Sequence, residues 1–401
     1  MIPAPNFSAN AGIYDLQWEE EGVRVHVDRI FDSRRDTTGE ITVRYKPPGG
    51  TSYGHLHQAR LSLTSTSGRE TLAKHLAKRG PLTDAGWGTI LEWTCAAILL
   101  KHREGEPVKM VGNLPIGERA KYLEHPFLLA LQPNMIYGPQ GSGKTTVAAM
   151  LALQVLSKES GPANALWLDF EWCDDEVNSL VKRLKEGMGL DPDLEMAYRF
   201  CSQPLADDIL SIQKLVIEKQ AQLVVVDSVG AACGGDPMAP DVVLRYFGAL
   251  RSLRVTTLSL DHTAKINTGP FGSVYKSITA RNIWEAVKGC NESDSMAVGL
   301  HHRKMNSGPL LKPFGFKFKY TDDSIIPQKT DARAMPEVLA TMALADQIEA
   351  ALLRQAMTPT ELAVELGKTP AVMSTTISRH KGRFVSCGNG RWGVKATEVN
   401  S

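Results

Sequence analysis

Between residues 138 and 145 the chain reads Gly-Pro-Gln-Gly-Ser-Gly-Lys-Thr, which satisfies the spacing GxxxxGK[ST]. Phosphate binding needs these residue types. Gly138, Gly141 and Gly143 let successive backbone N–H groups curl around an anion, with Pro139, Gln140 and Ser142 completing the loop. The run KTTVAAMLALQVL begins directly behind it and adds the positive end of a helix. In that setting Lys144 reaches the β- and γ-phosphates of ATP, the Thr145 hydroxyl completes a Mg²⁺ shell, and Thr146 closes the first turn. A second apolar run, LVVVDS (223–228), ends in an acid and would bring Asp227 beside the loop, where it can hold Mg²⁺ through water. A third, ALWLDFEW (165–172), also ends in acids. On a pleated strand Leu166, Leu168 and Phe170 share one face while Trp167, Asp169 and Glu171 share the other. A carboxylate at such a strand end can orient and deprotonate an attacking water; Glu171 is the first choice and Asp169 the reserve.

These residues need a scaffold that aims several strand ends at one place. From about residue 109 to 327, short bare apolar runs (134–138, 165–170, 197–201, 223–227, 255–261, 295–301) alternate with amphipathic helices. That pattern indicates a mainly parallel sheet covered on both faces. The stretch FGFKFKY (314–320) alternates and reads as an edge strand, while TARNIWEAV reads as a helix in which Trp284 belongs to the core. Before this region, alternating runs at 12–18, 22–31, 41–45 and 59–65 read as strands, with helices at about 69–78 and 89–102. Nothing in that part carries a nameable chemistry. After it, TPTELAVELG contains a capping box (Thr358, Glu361) with Pro359 at the first helical position, and Gly367 can end the helix. Thr369-Pro370 starts another, and Gly388-Asn389-Gly390 turns a hairpin. Helix, helix, turn, helix, hairpin is the outline of a winged helix-turn-helix. The expected fold class is therefore α/β: a parallel-sheet P-loop core (111–330), an N-terminal α+β domain (1–110) and a C-terminal winged helix (331–401).

Composition narrows the function classes. Forty-five Lys and Arg stand against 44 Asp and Glu, a formal charge of +1, so a uniformly basic nucleic-acid binder is excluded while a local patch is not. One such patch exists: residues 368–395 hold Lys368, Arg379, Lys381, Arg383, Arg391 and Lys395 and no acid. Ser374, Thr375, Ser378 and Arg379 lie on the second helix of the pair, suited to phosphate or base-edge contacts. No apolar run approaches the roughly 18 residues of a membrane span, and the start MIPAPNFSAN lacks signal-peptide features. The six cysteines show no CxxC spacing, which argues against a zinc site and fits a reducing cytoplasm.

The order of phosphate loop, strand with Glu171, strand ending in Asp227, and strand ending Asp261-His262-Thr263-Ala264-Lys265 resembles the RecA-like ATPases, most closely the plasmid RepA-type hexameric replicative helicases. The resemblance spans roughly residues 110–325. It implies an ATP-hydrolysing, ring-forming DNA motor working on single-stranded DNA in its pore, with duplex DNA a further partner at the winged helix. It implies that His262 senses the γ-phosphate and that residues 263–276, with Lys265 and Lys276, form a DNA-gripping pore loop. Residues 231–241 would be a second pore-facing loop. HHRKMNSGP (301–309) falls where such enzymes place a cation that enters the neighbouring subunit's site, making Arg303 and Lys304 the candidates. Arg379, Lys381, Arg383 and Arg391 would contact DNA from the winged helix.

Overall fold

The computed structural model describes residues 2–395 except 11, 34, 106–107, 109, 111–121, 159–163, 172–173, 264–268 and 307. The chain divides into two compact units, Met1–Arg119 and Ala120–Ser401.

The first unit is an antiparallel sheet in the order β1 (Asn6–Asn10), β2 (Ile13–Trp18), β3 (Val23–Asp32), β4 (Thr37–Tyr45), β5 (Gly54–Ser62), followed by α1 (Thr66–Ala77) and α2 (Asp84–Glu104). The period-two pattern decides which face is covered. Leu16, Trp18, Val23, Val25, Val27, Ile41 and Val43 are buried and pack with Leu72, Leu76, Trp87, Ile90 and Ile98 of the helices. Ser65 and Thr83 cap the two helices by accepting from the N–H groups of Gly68 and Gly86.

The second unit opens with β6 (Tyr122–Glu124), β7 (Leu128–Leu129) and β8 (Pro133–Gly138), then α3 (Lys144–Leu156), β9 (Asn164–Asp169), α4 (Asp174–Met188), β10 (Ala197–Phe200) and α5 (Ile209–Glu218). It continues through β11 (Ala221–Asp227), α6 (Val229–Ala232), α7 (Pro240–Ser252), β12 (Thr256–His262), α8 (Tyr275–Thr279), β13 (Asn282–Glu292), β14 (Ser295–Met305), β15 (Phe314–Tyr320) and β16 (Ile325–Thr330). The main sheet has the order β10-β9-β11-β12-β8-β13-β14-β15-β16, parallel from β10 through β13 and antiparallel beyond. Both faces are buried: Trp167, Val225 and Leu258 lie under α3 and α4, while Leu166, Leu168, Val224 and Val226 lie under α5 and α7. This two-sided burial is why the strands are bare apolar runs rather than alternating ones.

Three details depart from the sequence reading. TARNIWEAV is not helical: Asn282–Glu292 is a strand held between β8 and β14, with Trp284 buried on one face against Phe127 and stacked on His302, and Ile283 buried on the other. Burial on two faces overrides the helix propensity of Glu285-Ala286. Phe314–Tyr320 is not the edge, because β16 pairs outside it. The first helix of the C-terminal outline is not continuous but broken at Met342 into α9 (Pro336–Thr341) and α10 (Leu344–Arg354). Val338 of α9 seats on Gly299 of β14, where an added Cβ would lie 2.4 Å from Val338 Cγ2.

The chain ends with α11 (Pro359–Leu366), α12 (Pro370–Arg379) and the ribbon β17 (Phe384–Gly388) and β18 (Arg391–Val394). Thr358 and Glu361 form the reciprocal capping box, and Gly367 closes α11 with φ 61°. Ile348, Leu352, Leu362, Met373, Ile377 and Phe384 form its small core.

Candidate active site

Parallel strands leave their C-terminal ends on one edge of the sheet, and the residues singled out for chemistry collect there. Gly138 ends β8 beside His262 of β12, and Asp227 of β11 stands level with Asp169 of β9. The loop between β8 and α3 has the backbone its glycines permit. Gly141 and Gly143 take φ of 69° and 83°, and a Cβ on Gly143 would lie 2.6 Å from Val298 Cγ2. Lys144 is buried, and its ammonium donates to the carbonyls of Gly138 (3.0 Å) and Pro139 (2.8 Å). Burial lowers its pKa, opposed by the charges of Asp227, Asp261 and Glu171.

Thr145 Oγ1 donates to Asp227 Oδ2 at 3.3 Å. Asp227 is buried, and desolvation first, then the charges of Glu171 and Asp169, push its pKa up to about 7. Mutual repulsion of Asp227 with Glu171 and Asp169 is an electrostatic arrangement that a bound cation relieves. The hydroxyl of Ser142, inside the loop, is buried with no hydrogen-bond partner among the described residues. The site therefore fits a Mg²⁺-nucleotide, and Thr145 and Asp227 are the residues that could hold the cation.

Asp169, the last residue of β9, and Glu171, two residues beyond it, are held differently. Asp169 is fully buried; its carboxylate accepts from the Glu171 N–H (2.7 Å) and the Tyr198 hydroxyl (2.7 Å). It fixes the strand end and is not free to meet a water. Glu171 is exposed and accepts from Ser228 Oγ at 2.5 Å, and among the described residues nothing bonds its other oxygen. Ser228, Tyr198 and the positioning role of Asp169 were not found from sequence. A hydroxyl one residue after the β11 acid was the available signal for Ser228.

His262 is exposed at the end of β12, its N–H bonded to Asp261 Oδ1 at 2.9 Å. Several expected positions differ. Lys276 does not reach a loop surface: it is fully buried in an ion pair with Asp261 at 2.8 Å. Lys265 lies outside the described residues. Residues 231–241 carry no cation, and Ser273 N–H bonds Pro237 O at 2.9 Å, so the two expected loops touch. Phe271 and Tyr275 are the exposed aromatics of that region. Arg303 pairs with Glu285 at 2.5 Å, and Lys304 donates to the carbonyls of Ser277, Ile278 and Ala280 at 2.7–2.8 Å. His301 and His302 point to different partners, Thr341 Oγ1 (3.0 Å) and Asn282 Oδ1 (2.8 Å). In the C-terminal ribbon Arg383 binds Asp346 (2.6 Å) and Glu349, and Arg391 binds Glu361 (2.8 Å), whereas Arg379 and Lys381 are exposed. Arg383 and Arg391 are thus engaged within the module rather than presented to a ligand.

The loop, the strand-end acids and the parallel-rich sheet are the parts of a P-loop nucleotide-binding core. Residues 106–267 match the AAA domain family model. Among solved structures, a KaiC-like protein from the hyperthermophilic archaeon Pyrococcus horikoshii is similar over 50% of this chain and 91% of its own, at 16% identity and a TM-score of 0.37. No curated protein matches. No described helix is long and apolar enough to cross a membrane.

Proposed function

We propose that the protein hydrolyses ATP at the phosphate loop and spends the cycle on DNA, as a ring-forming, hexameric helicase or translocase in the replication of a plasmid, phage or other mobile element. The observation that carries the hydrolytic part is the grouping of Lys144, Thr145, Asp227 and the Ser228-held Glu171 at one sheet edge. Lys144 would exchange its two loop carbonyls for phosphate oxygens. Thr145 and Asp227 would hold Mg²⁺, which when bound supplies charge neutralisation on the β- and γ-phosphates. Ser228 fixes one oxygen of Glu171, so the other can take the proton of a water attacking the γ-phosphorus while the bond to the bridging oxygen breaks. His262, next to Gly138, would meet the γ-phosphate and relay its loss to the chain that follows.

DNA contact is supported by two surfaces. Phe271 and Tyr275 offer exposed rings for base stacking where Lys276 does not. In α12 and just beyond it, Ser374, Thr375, Ser378, Arg379 and Lys381 form an exposed polar and basic face, as a winged helix-turn-helix would present to duplex DNA. A second reading, a nucleotide-switched DNA-binding regulator that oligomerises without unwinding, is favoured by the intramolecular engagement of Lys276, Arg303 and Lys304. The deciding experiment is the ATPase rate with and without single-stranded DNA, with Lys144→Ala as control. Stimulation by single strands, lost in Lys144→Ala, supports the motor. Hydrolysis indifferent to DNA supports the switch, and wild-type turnover in Lys144→Ala refutes the site.

A further inference from the structure

The two edges of the N-terminal sheet differ. β1 is five residues long; β5 is nine, contains no proline or lysine, and among the described residues no strand pairs outside it. Sheet edges of that length normally carry such guards, because their free N–H and C=O groups invite another strand. The ladder shows which groups are free. Leu63 N–H bonds Thr37 O at 2.8 Å, and the register continues through Leu61 with Gly39 and Ala59 with Ile41. Antiparallel pairs alternate, so the backbones of Gln58 and Arg60 face outward.

Alongside this edge runs a groove of about 460 Å³, walled by α1. Its apolar floor is Ala59, Leu61 and Leu72, and its helix wall is the stripe Gly68, Thr71, Leu72, His75 at helical spacing. His57 and His75 meet across it with ring centroids 4.8 Å apart. No carboxylate lines it. Burial first, then His75, Arg79 and His55, lowers the pKa of His57, so that imidazole is a neutral hydrogen-bonding group and the standing positive charge is that of Arg79 beside it and of Arg60 in the groove wall. Lys74 and Lys78 are exposed on the same helix, Glu70 is the one acid of α1, and Arg69 is occupied by Glu92 at 2.8 Å.

We propose that this groove docks an extended acidic peptide segment of a protein partner, which adds to β5 as a sixth strand and sets its carboxylates against His57, His75 and Arg79. Backbone pairing to Gln58 and Arg60 supplies affinity, and the alternate side chains supply selection. The small floor residues Ala59 and Leu61 favour short branched side chains at the positions between the acids.

The test uses the full chain and a fluorescein-labelled octapeptide pool with Asp or Glu at alternate positions and Val, Ile or Thr between, read by fluorescence anisotropy. Three comparisons accompany it: a pool with Lys replacing the acids, a pool N-methylated on alternate backbone nitrogens, and the variants Arg60→Pro and His75→Glu. Proline is tolerated on an edge whose N–H faces outward, and the N-methylated pool asks the same question of the wild-type chain. Each change should weaken binding at least about tenfold, with ATP hydrolysis unchanged in both variants. Failure of the acidic pool to bind at about millimolar protein, or equal binding of the Lys or N-methylated pool, overturns the proposal. So does an oligo-dT that displaces the peptide and binds Arg60→Pro as well as wild type, since that assigns the face to nucleic acid.

Discussion

Lys276 separates a DNA-gripping role from a structural one, and the two predict opposite results for Lys276→Met. The ammonium and the Asp261 carboxylate are 2.8 Å apart, with side chains 0% and 2% exposed. Removing one partner of a buried pair costs on the order of 3–5 kcal/mol, because the remaining charge has neither water nor counter-ion. An independent route gives a similar size. Without Lys276, Asp261 escapes by taking up a proton, which at pH 7 costs about 1.4 kcal/mol for each unit above its ordinary value near 3.9, or about 4 kcal/mol. Burial already raises the Asp261 pKa, and Lys276 is the main opposing influence. In the variant, therefore, the carboxyl is protonated in the fold and ionised in the unfolded chain, and stability falls as pH rises above about 4. The deficit should be about 4 kcal/mol at pH 7 and about 1.5 kcal/mol at pH 5. Scanning calorimetry reads this as a fall in Tm of roughly 8–16 °C at neutral pH, shrinking in acid. Adding Asp261→Asn should recover at least half of the loss, since it removes the stranded charge while keeping the acceptor for the His262 N–H. A Tm within about 2 °C of wild type at pH 7, together with lost affinity for single-stranded DNA, would refute the reasoning.

Glu171→Gln should retain ATP binding and lower kcat by about 100-fold or more, with Ser228→Ala falling by roughly tenfold because it only loosens the carboxylate; equal effects in a rapid-quench assay would contradict that division. Arg379→Ala with Lys381→Ala should weaken DNA binding and reduce the salt slope by about two, whereas Arg383→Ala should lower Tm by freeing Asp346 and Glu349 and change the slope little. His301 is held neutral: burial first, then Arg303, lowers its pKa to about 4. Its contribution is full above about pH 6.5 and is lost as pH falls to 4, up to about 3 kcal/mol. The stability of wild type relative to His301→Gln should therefore decline over that range in urea titrations.

Much of the core was legible because each decisive signal is local. A phosphate loop is a run of eight residues, and an acid at the end of an apolar run marks a strand end wherever the run lies in the sheet. The winding of parallel strands then gathers Gly138, Asp169, Asp227 and His262 without any long-range signal in the sequence. What was not legible depends on partners distant in sequence. Nothing near Lys276 shows that it meets Asp261, and nothing near Arg383 shows that α10 supplies two carboxylates. The strand Asn282–Glu292 was hidden for a related reason: its residues suit a helix, and only the vacancy between β8 and β14 makes it extended. The same sheet order explains why Asp169, an apparent base by position, is spent on the Glu171 N–H and the Tyr198 hydroxyl.

The cost of release distinguishes Arg303 from Lys304 as the cation that would act across a ring interface. Arg303 is paired with Glu285, whose side chain is 15% exposed, but the Arg303 side chain itself is 42% exposed, and a pair with one member this wet contributes about 1 kcal/mol. A neighbouring subunit's phosphate could therefore outbid Glu285 at little cost. Lys304 is different in kind. All three of its N–H donors are used on the carbonyls of Ser277, Ile278 and Ala280, two of them in the last turn of α8 and the third at its C-terminal cap. Hydrogen bonds from a charged donor contribute about 1.5–3 kcal/mol each, so withdrawing Lys304 would strand three acceptors and loosen the helix that follows the His262 strand. Arg303 is thus the side chain the fold leaves able to move, and Lys304 the one that holds in place the segment between His262 and β13.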